Sequence, residues 1–384
     1  MSIPTYVMLR TSRFQSLQAS LAGHLRVVDA RMSRARRHVI ARDGRLAYLK
    51  LMLRRPPEHC YDMARANVAR KMARMGRAFA EGGWLHNVYL WRKAHHARLA
   101  EELIRDTWEA TENPVAIVYN GTNVPDSVLE HVAPEGRCLW IENGYFRGTM
   151  QIDNRGINAL NSLPRDAEFY RRFQPDGEIA PPELNVRDAK HDIHDAVALP
   201  EGTVFVPFQV DSDMQITRLS PWVSSMAHFH DILLEMVERL PEQVFVVKEH
   251  PMTRNALWDK VRQHPRILFQ NGRPTGELIR EAAGVLTINS TVGIESLALG
   301  KPTVLLGQAC YVVPGLVKTA GNADELAEVL SGLSGWTPDP ELRDHFLYYL
   351  RHEFLFGDVG QPIDDTLPER LAALLTRRHE DKLP

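Results

Sequence analysis

Two kinds of apolar spacing alternate along this chain. Short unbroken apolar runs, the mark of strands buried on both faces, stand at residues 6–9, 115–119, 138–141, 203–208, 244–248, 267–270, 285–288 and 303–306. Between them, apolar residues three and four apart predict helices at 16–25, 125–132, 229–240, 275–283 and 293–299. Such alternation belongs to parallel sheets covered by helices. The clearest unit is 285–311: a strand, the polar turn Asn289-Ser290-Thr291, a helix, then Gly300 and Pro302 as stop signals before the next strand. Residues 27–105 break the alternation. They are largely helical by pattern, with Val68, Met72, Met75 and Phe79 at helical spacing and a break at Gly82-Gly83. Residues 150–172 read as a polar connection leading into a helix from near Pro164. Residues 175–200, rich in Pro and charge, read as a linker, and 342–356 and 366–378 as terminal helices.

The expected organisation is α/β with two Rossmann-like domains facing a central cleft. An N-terminal domain with a basic helical insertion spans 1–197, a C-terminal nucleotide-binding domain 198–340, and terminal helices 341–384. In open parallel sheets, ligands bind beyond the carboxyl ends of the strands. Polar residues collect there: Glu142 after one strand, Asp211 and Asp213 after another, Lys248 and His250 after a third, Ser290 and Thr291 after a fourth. Each cluster alone also reads as an exposed loop or a helix cap. Several at one sheet edge suggest a binding crevice, with hydroxyls and helix N–H groups at Ser290-Thr291 suited to a phosphate.

Charge adds one feature. The net charge is -2, yet residues 1–105 carry roughly three Lys/Arg for each Asp/Glu. The clusters are Arg31, Arg34, Arg36 and Arg37, then Arg54 and Arg55, then Arg70, Lys71, Arg74 and Arg77. They fit solvated helix faces or contact with anionic lipid or an anionic substrate. No nucleic-acid-binding motif or interleaved aromatic platform accompanies them, so nucleic acid is not an expected partner. Cys60, Cys138 and Cys310 lack metal or redox spacing and read as free thiols of a reducing compartment. The run His191-Asp192-Ile193-His194-Asp195 reads as a solvated linker rather than a metal site. No apolar run is long enough to span a bilayer and the first residues lack a signal-peptide core, so the expected location is cytoplasmic.

Four stretches, IENGYFRGTMQIDNRGINALNSLPRD, FVPFQVDSDMQI, VVKEHP and TINSTVGIESLALGKPTVLLGQACY, together resemble the capsule polysaccharide biosynthesis/export family, which includes retaining β-Kdo transferases of GT-B layout. The Glu-x-Gly, His-Pro and Ser/Thr elements also resemble bacterial polysialyltransferases. The resemblance implies transfer of Kdo from CMP-Kdo or a related nucleotide sugar to a lipid or glycan acceptor. It implies no metal cofactor, and a location that is cytoplasmic or peripheral on the inner membrane. By matching position, Asp213 would be the nucleophile, with Asp211 the weaker candidate, and Glu142 the carboxylate near the acceptor. Gln209 opens the Gln-x-x-x-Asp motif, His250 would contact the CMP phosphate with Ser290 and Thr291, and Glu295 the ribose. Lys248 and Arg147 would face the sugar carboxylate. Met8-Leu9-Arg10-Thr11-Ser12-Arg13 stands where the family usually has a Gly-Pro turn. Two other readings remain: a non-catalytic capsule assembly or export component, and a GT-B enzyme that uses a UDP-sugar.

Overall fold

The apolar runs pair into two six-stranded sheets. The computed structural model describes residues 3–75, 79, 81–179, 198–251, 257, 260–357 and 363–376. Pro181-Pro182, the 191–195 His/Asp run and Arg77 lie outside the described residues, as does the side chain of Arg74.

The first domain begins with β1 (Thr5–Leu9), α1 (Gln15–Ser20) and β2 (Leu25–Val28). The helical insertion follows as α2 (Met32–Asp43), α3 (Arg45–Leu53), α4 (Glu58–Met75) and α5 (Trp84–Glu109). The alternation then resumes with β3 (Pro114–Tyr119), α6 (Asp126–Val132), β4 (Cys138–Asn143), β5 (Thr149–Asp153) and α7 (Ala167–Arg172). In β1 the side chains alternate between faces, as a pleated strand requires. Val7 and Leu9 meet Cys60, Ala64, Ala97 and Ile104 of α4 and α5, whereas Tyr6 and Met8 meet Leu17 of α1 and Leu21 just past its end.

The second domain runs β6 (Val204–Pro207), α8 (Met214–Thr217), α9 (Met226–Arg239), β7 (Phe245–Lys248), β8 (Ile267–Phe269) and α10 (Thr275–Glu281). It continues with β9 (Gly284–Thr287), α11 (Val292–Ala298), β10 (Thr303–Leu305), β11 (Lys318–Thr319) and α12 (Ala323–Ser331). Its sheet, in the order β11-β10-β9-β6-β7-β8, is parallel throughout. The chain then passes through α13 (Pro340–Tyr349) and a π-helical turn at Leu350–Phe354. It returns to the first domain, where β12 (Phe356–Gly357) pairs with β5 and α14 (Leu367–Thr376) covers the face that holds Tyr6. The Tyr6 hydroxyl donates to Pro368 O at 2.8 Å.

Two strands depart from the sequence reading. The helix expected at 16–25 ends at Ser20, and Leu25–Val28 pairs with β1 as an edge strand. Its two central residues are exposed, so it lacks the continuous apolar run of the inner strands. The stretch TMQID, expected as connection, is β5, fully buried and antiparallel to β4. Its polar side chains hide it by pattern, and local bonds satisfy them in place. Asp153 Oδ1 accepts from Arg155 N–H at 2.7 Å, and Gln151 Oε1 from Asn158 N–H at 2.9 Å.

The two domains share an apolar joint. Tyr145, Phe146 and Tyr170 of the first half pack with Ile294, Tyr311 and Phe346. Cys310 Sγ lies 3.0 Å from Tyr145 Oη, three residues past Glu142.

Buried histidines give the fold a pH dependence. His95 and His230 are each 1 % exposed, and neither ring finds a hydrogen-bond partner. Burial pushes both below the ordinary histidine value. The unfolded chain therefore binds protons that the native state refuses once pH falls below about 6.5. The urea midpoint is expected to be flat above that pH and to fall below it. A His95→Leu/His230→Leu double variant should fall less steeply; equal slopes would refute this origin.

Candidate active site

Between the two sheets lies a cleft of about 2460 Å³, several times the volume of a pocket for one small ligand. Both domains line it at the carboxyl ends of their parallel strands. The first domain contributes Arg13, Asn120, Asp126, Glu142 and Arg147, the second Asp213, Lys248, His250, Ser290 and Thr291.

Glu142 is the penultimate residue of β4, held in register opposite Gln151. Gly144 makes the tight turn beside it. A Cβ there would lie 2.7 Å from the Thr149 carbonyl carbon, so this hairpin accepts only glycine. The carboxylate accepts from the Asn120 side-chain amide at 3.0 Å and from Asn143 N–H at 2.9 Å. Burial pushes its pKa up; those donors and Arg13 act against the rise, and the charge of Asp213 on the opposite wall adds to it. Arg147 is exposed on the β4–β5 turn and lines the same space.

On the second wall, Asp213 is exposed and caps α8, accepting from Gln215 N–H at 3.1 Å. Asp211 is turned away: its carboxylate accepts from Met226 N–H at 2.7 Å, at the start of α9, and it does not line the cleft. The literal Asp-x-Asp sequence thus divides between two helix starts. Gln209 is buried; its side-chain amide donates to Asn289 Oδ1 at 3.0 Å and its Oε1 accepts from the Asn289 backbone N–H at 3.4 Å. It ties the β6 loop to the β9 turn. Lys248 reaches the Arg273 carbonyl, and burial lowers its pKa. His250 stands half-buried at the end of β7, on the cleft wall.

The Ser290-Thr291 turn is fixed from behind. The Tyr311 hydroxyl donates to Ser290 O, and a Cβ on Gly293 would lie 2.7 Å from the Tyr311 ring. The Ser290 hydroxyl accepts from Val292 N–H at 3.2 Å. Because α11 has only seven residues, its macrodipole is small, so hydroxyls and side-chain cations matter more at this turn than the helix end does. Glu295 lies one turn further, 7 % exposed and off the cleft lining.

Three residues on the wall were not singled out from sequence. Asn120 holds Glu142 from a left-handed backbone position, φ 63°, which the Asn-Gly pair made readable. Arg13 comes from the β1–α1 loop and donates to the Tyr119 hydroxyl at 2.7 Å. Asp126 lies at the start of α6, where burial pushes it up to about 7. Among the described residues, one group of three could hold a metal ion, His59, Glu101 and His131. None of the three lines the cleft, and Glu101 is already paired with Arg105 at 2.6 Å.

Two mostly parallel sheets that open onto one cleft from their carboxyl ends define a GT-B-like α/β protein. A sequence profile described as "Capsule polysaccharide biosynthesis protein" matches residues 182–353. Protein FixF of Sinorhizobium fredii is 40% identical over 302 residues, covering 77% of this chain and 74% of FixF. The capsule polysaccharide modification protein LipB of Neisseria meningitidis is 30% identical over 306 residues, covering 61% of this chain and 72% of LipB. The chain belongs to the capsule polysaccharide biosynthesis family. Among solved structures, the KpsC β-Kdo 2,4 transferase of Thermosulfurimonas dismutans is 15% identical with a TM-score of 0.46, covering 68% of this chain and 86% of that one.

Proposed function

We propose that this chain is a retaining glycosyltransferase of capsular polysaccharide synthesis. Its reaction moves Kdo from CMP-Kdo to a lipid or glycan acceptor at the cytoplasmic face of the inner membrane. The observation that carries the reading is the pairing of walls: Glu142 on one, with Asp213, Lys248, His250, Ser290 and Thr291 on the other. Asp213 attacks the anomeric carbon, and CMP leaves with the bonding pair. His250 and the hydroxyls of Ser290 and Thr291 hold the departing phosphate. Lys248 and Arg147 meet the sugar carboxylate, and no metal is required to neutralise the donor. Glu142 then takes the proton of the acceptor hydroxyl, whose oxygen displaces Asp213 from the sugar. Two inversions at one carbon give net retention. A carboxylate with a raised pKa is the stronger base for the second step. Gln209 serves by holding the Asn289 turn, and Glu295 by supporting α11 beneath the nucleotide.

The test is thermal stabilisation by CMP against UMP, UDP, GDP and ADP, with and without EDTA. A ligand specific to the folded state adds about 2.7 kcal/mol at a hundredfold excess over its Kd. Selective stabilisation by CMP, insensitive to EDTA, is expected. A shift selective for uridine nucleotides overturns the donor and favours a UDP-sugar enzyme. No shift with any nucleotide overturns the transferase and favours a binding or export component.

A further inference from the structure

We infer that α3 and the leading half of α5 form a docking surface for the interface of an anionic lipid bilayer. The inference rests on the helical insertion alone and stands whether or not the cleft transfers a sugar. Helix α3 buries none of its residues, although most of them are apolar. Leu46, Leu49 and Leu53 are 68, 55 and 87 % exposed and share one helical face at spacings of three and four. Trp84, Val88 and Trp91 make a second stripe at the same spacing on α5, with Leu85 beside it. These two stripes hold most of the large apolar side chains exposed among the described residues. They lie close together. Arg98 of α5 donates to Leu51 O at 3.0 Å and Arg54 O at 3.2 Å, which sets the end of α3 on α5 about 10 Å beyond Trp91. Two exposed apolar stripes on helices that meet mark an interaction site.

Charge selects the occupant. Residues 44–57 and 82–100 contain no Asp or Glu. Arg45, Lys50, Arg54 and Arg92 are exposed there, and none has a carboxylate partner among the described residues. The basic side chains at α2, by contrast, are partly neutralised. Arg31 and Arg34 pair with Asp29, and Arg42 pairs with Asp43, Glu102 and Asp106. Trp84 and Trp91 stand exposed beside Arg92, outside the three basic clusters named above. Leu, Trp and free cations on one face match a membrane interface, where apolar side chains enter the acyl boundary, indoles sit at headgroup depth and Lys/Arg meet anionic headgroups. A second copy of the chain would instead press like charges together across a two-fold axis. The same insertion also reaches the cleft, which α4 lines with Met63, Ala66 and Arg70.

The full chain is sedimented with vesicles of phosphatidylcholine, with and without phosphatidylglycerol, and its tryptophan fluorescence is read against brominated lipid. Preferential binding to the phosphatidylglycerol vesicles is expected, with quenching of the indoles. Leu49→Ser/Leu53→Ser and Trp84→Ser/Trp91→Ser should each weaken binding about tenfold or more, as loss of buried apolar area requires. Arg45→Glu/Lys50→Glu/Arg54→Glu should remove the preference for phosphatidylglycerol. All these side chains are exposed, so circular dichroism and the thermal response to CMP should match the parent chain. Binding unchanged in the variants, or indoles left unquenched, would overturn the inference. So would a wild-type dimer that becomes a monomer on Trp84→Ser/Trp91→Ser without vesicle binding by either. A failed nucleotide shift leaves the vesicle result untouched, so the two proposals fail separately.

Discussion

Asp213→Asn is expected to lower transfer by on the order of a thousandfold or more while the thermal midpoint stays within a degree or so of the parent chain. The two readouts separate the two jobs this side chain could have. Its visible structural role is a cap, with Oδ1 accepting from Gln215 N–H at the start of α8. Asparagine caps a helix about as well as aspartate does, so the cap survives the substitution. What it loses is the anionic oxygen proposed above to attack the anomeric carbon. Asp213→Ala, by contrast, should lose activity and about 1 kcal/mol of stability together. CMP affinity should be retained in Asp213→Asn, because the residues proposed to hold the phosphate, His250, Ser290 and Thr291, follow β7 and β9 rather than β6. Near-normal turnover would remove Asp213 from the nucleophile role.

Glu142→Gln is expected to lower kcat by about 10²- to 10⁴-fold, the usual range for a lost general base. The glutamine keeps one oxygen for the Asn143 N–H that Oε1 accepts, and its new NH2 meets the Asn120 side chain once that amide turns its own oxygen toward it, so the β4–β5 turn should hold its shape. The pH profile carries the stronger test. A base must be deprotonated to act, so the parent activity should rise with pH through the Glu142 pKa. Burial lifts that pKa, which places the acid limb above the ordinary glutamate range near 4.3. The limb should vanish in Glu142→Gln. It should move to lower pH in Asn120→Asp only if the added carboxylate stays protonated; a charged neighbour would push it higher still. An acid limb unchanged in Glu142→Gln would assign it to another group, with Asp126, pushed up to about 7 on the same wall, the first to replace.

The inner strands were legible because each is apolar along its length and ends in a turn signal. β3, β6, β7 and β9 are of this kind. The 285–311 unit stands as read, and Gly300 takes the positive φ of 68° that its place after α11 suggested. β2 and β5 were not legible, for opposite reasons. The first is an edge strand with exposed positions. The second is buried but polar, and its Asp153 and Gln151 are tolerated because the turn that follows brings the N–H groups of Arg155 and Asn158 back to them. Composition showed a basic first half. It could not show which arginines are already neutralised, since Arg42 meets Glu102 and Asp106 only when α2 lies on α5.

By itself the sequence determined the alternating α/β elements, the ends at which polar residues gather, and the family motifs from Glu142 to Thr291. These depend on local periodicity and on neighbours in the chain, which a sequence records directly. Tertiary structure decided which of those residues share a space. It set Glu142 opposite Asp213, turned Asp211 to the start of α9, gave Gln209 to Asn289 and returned the last helix to the first sheet. Those outcomes follow from which surfaces must be buried together. That requirement acts between residues far apart in the chain, so no local pattern carries it.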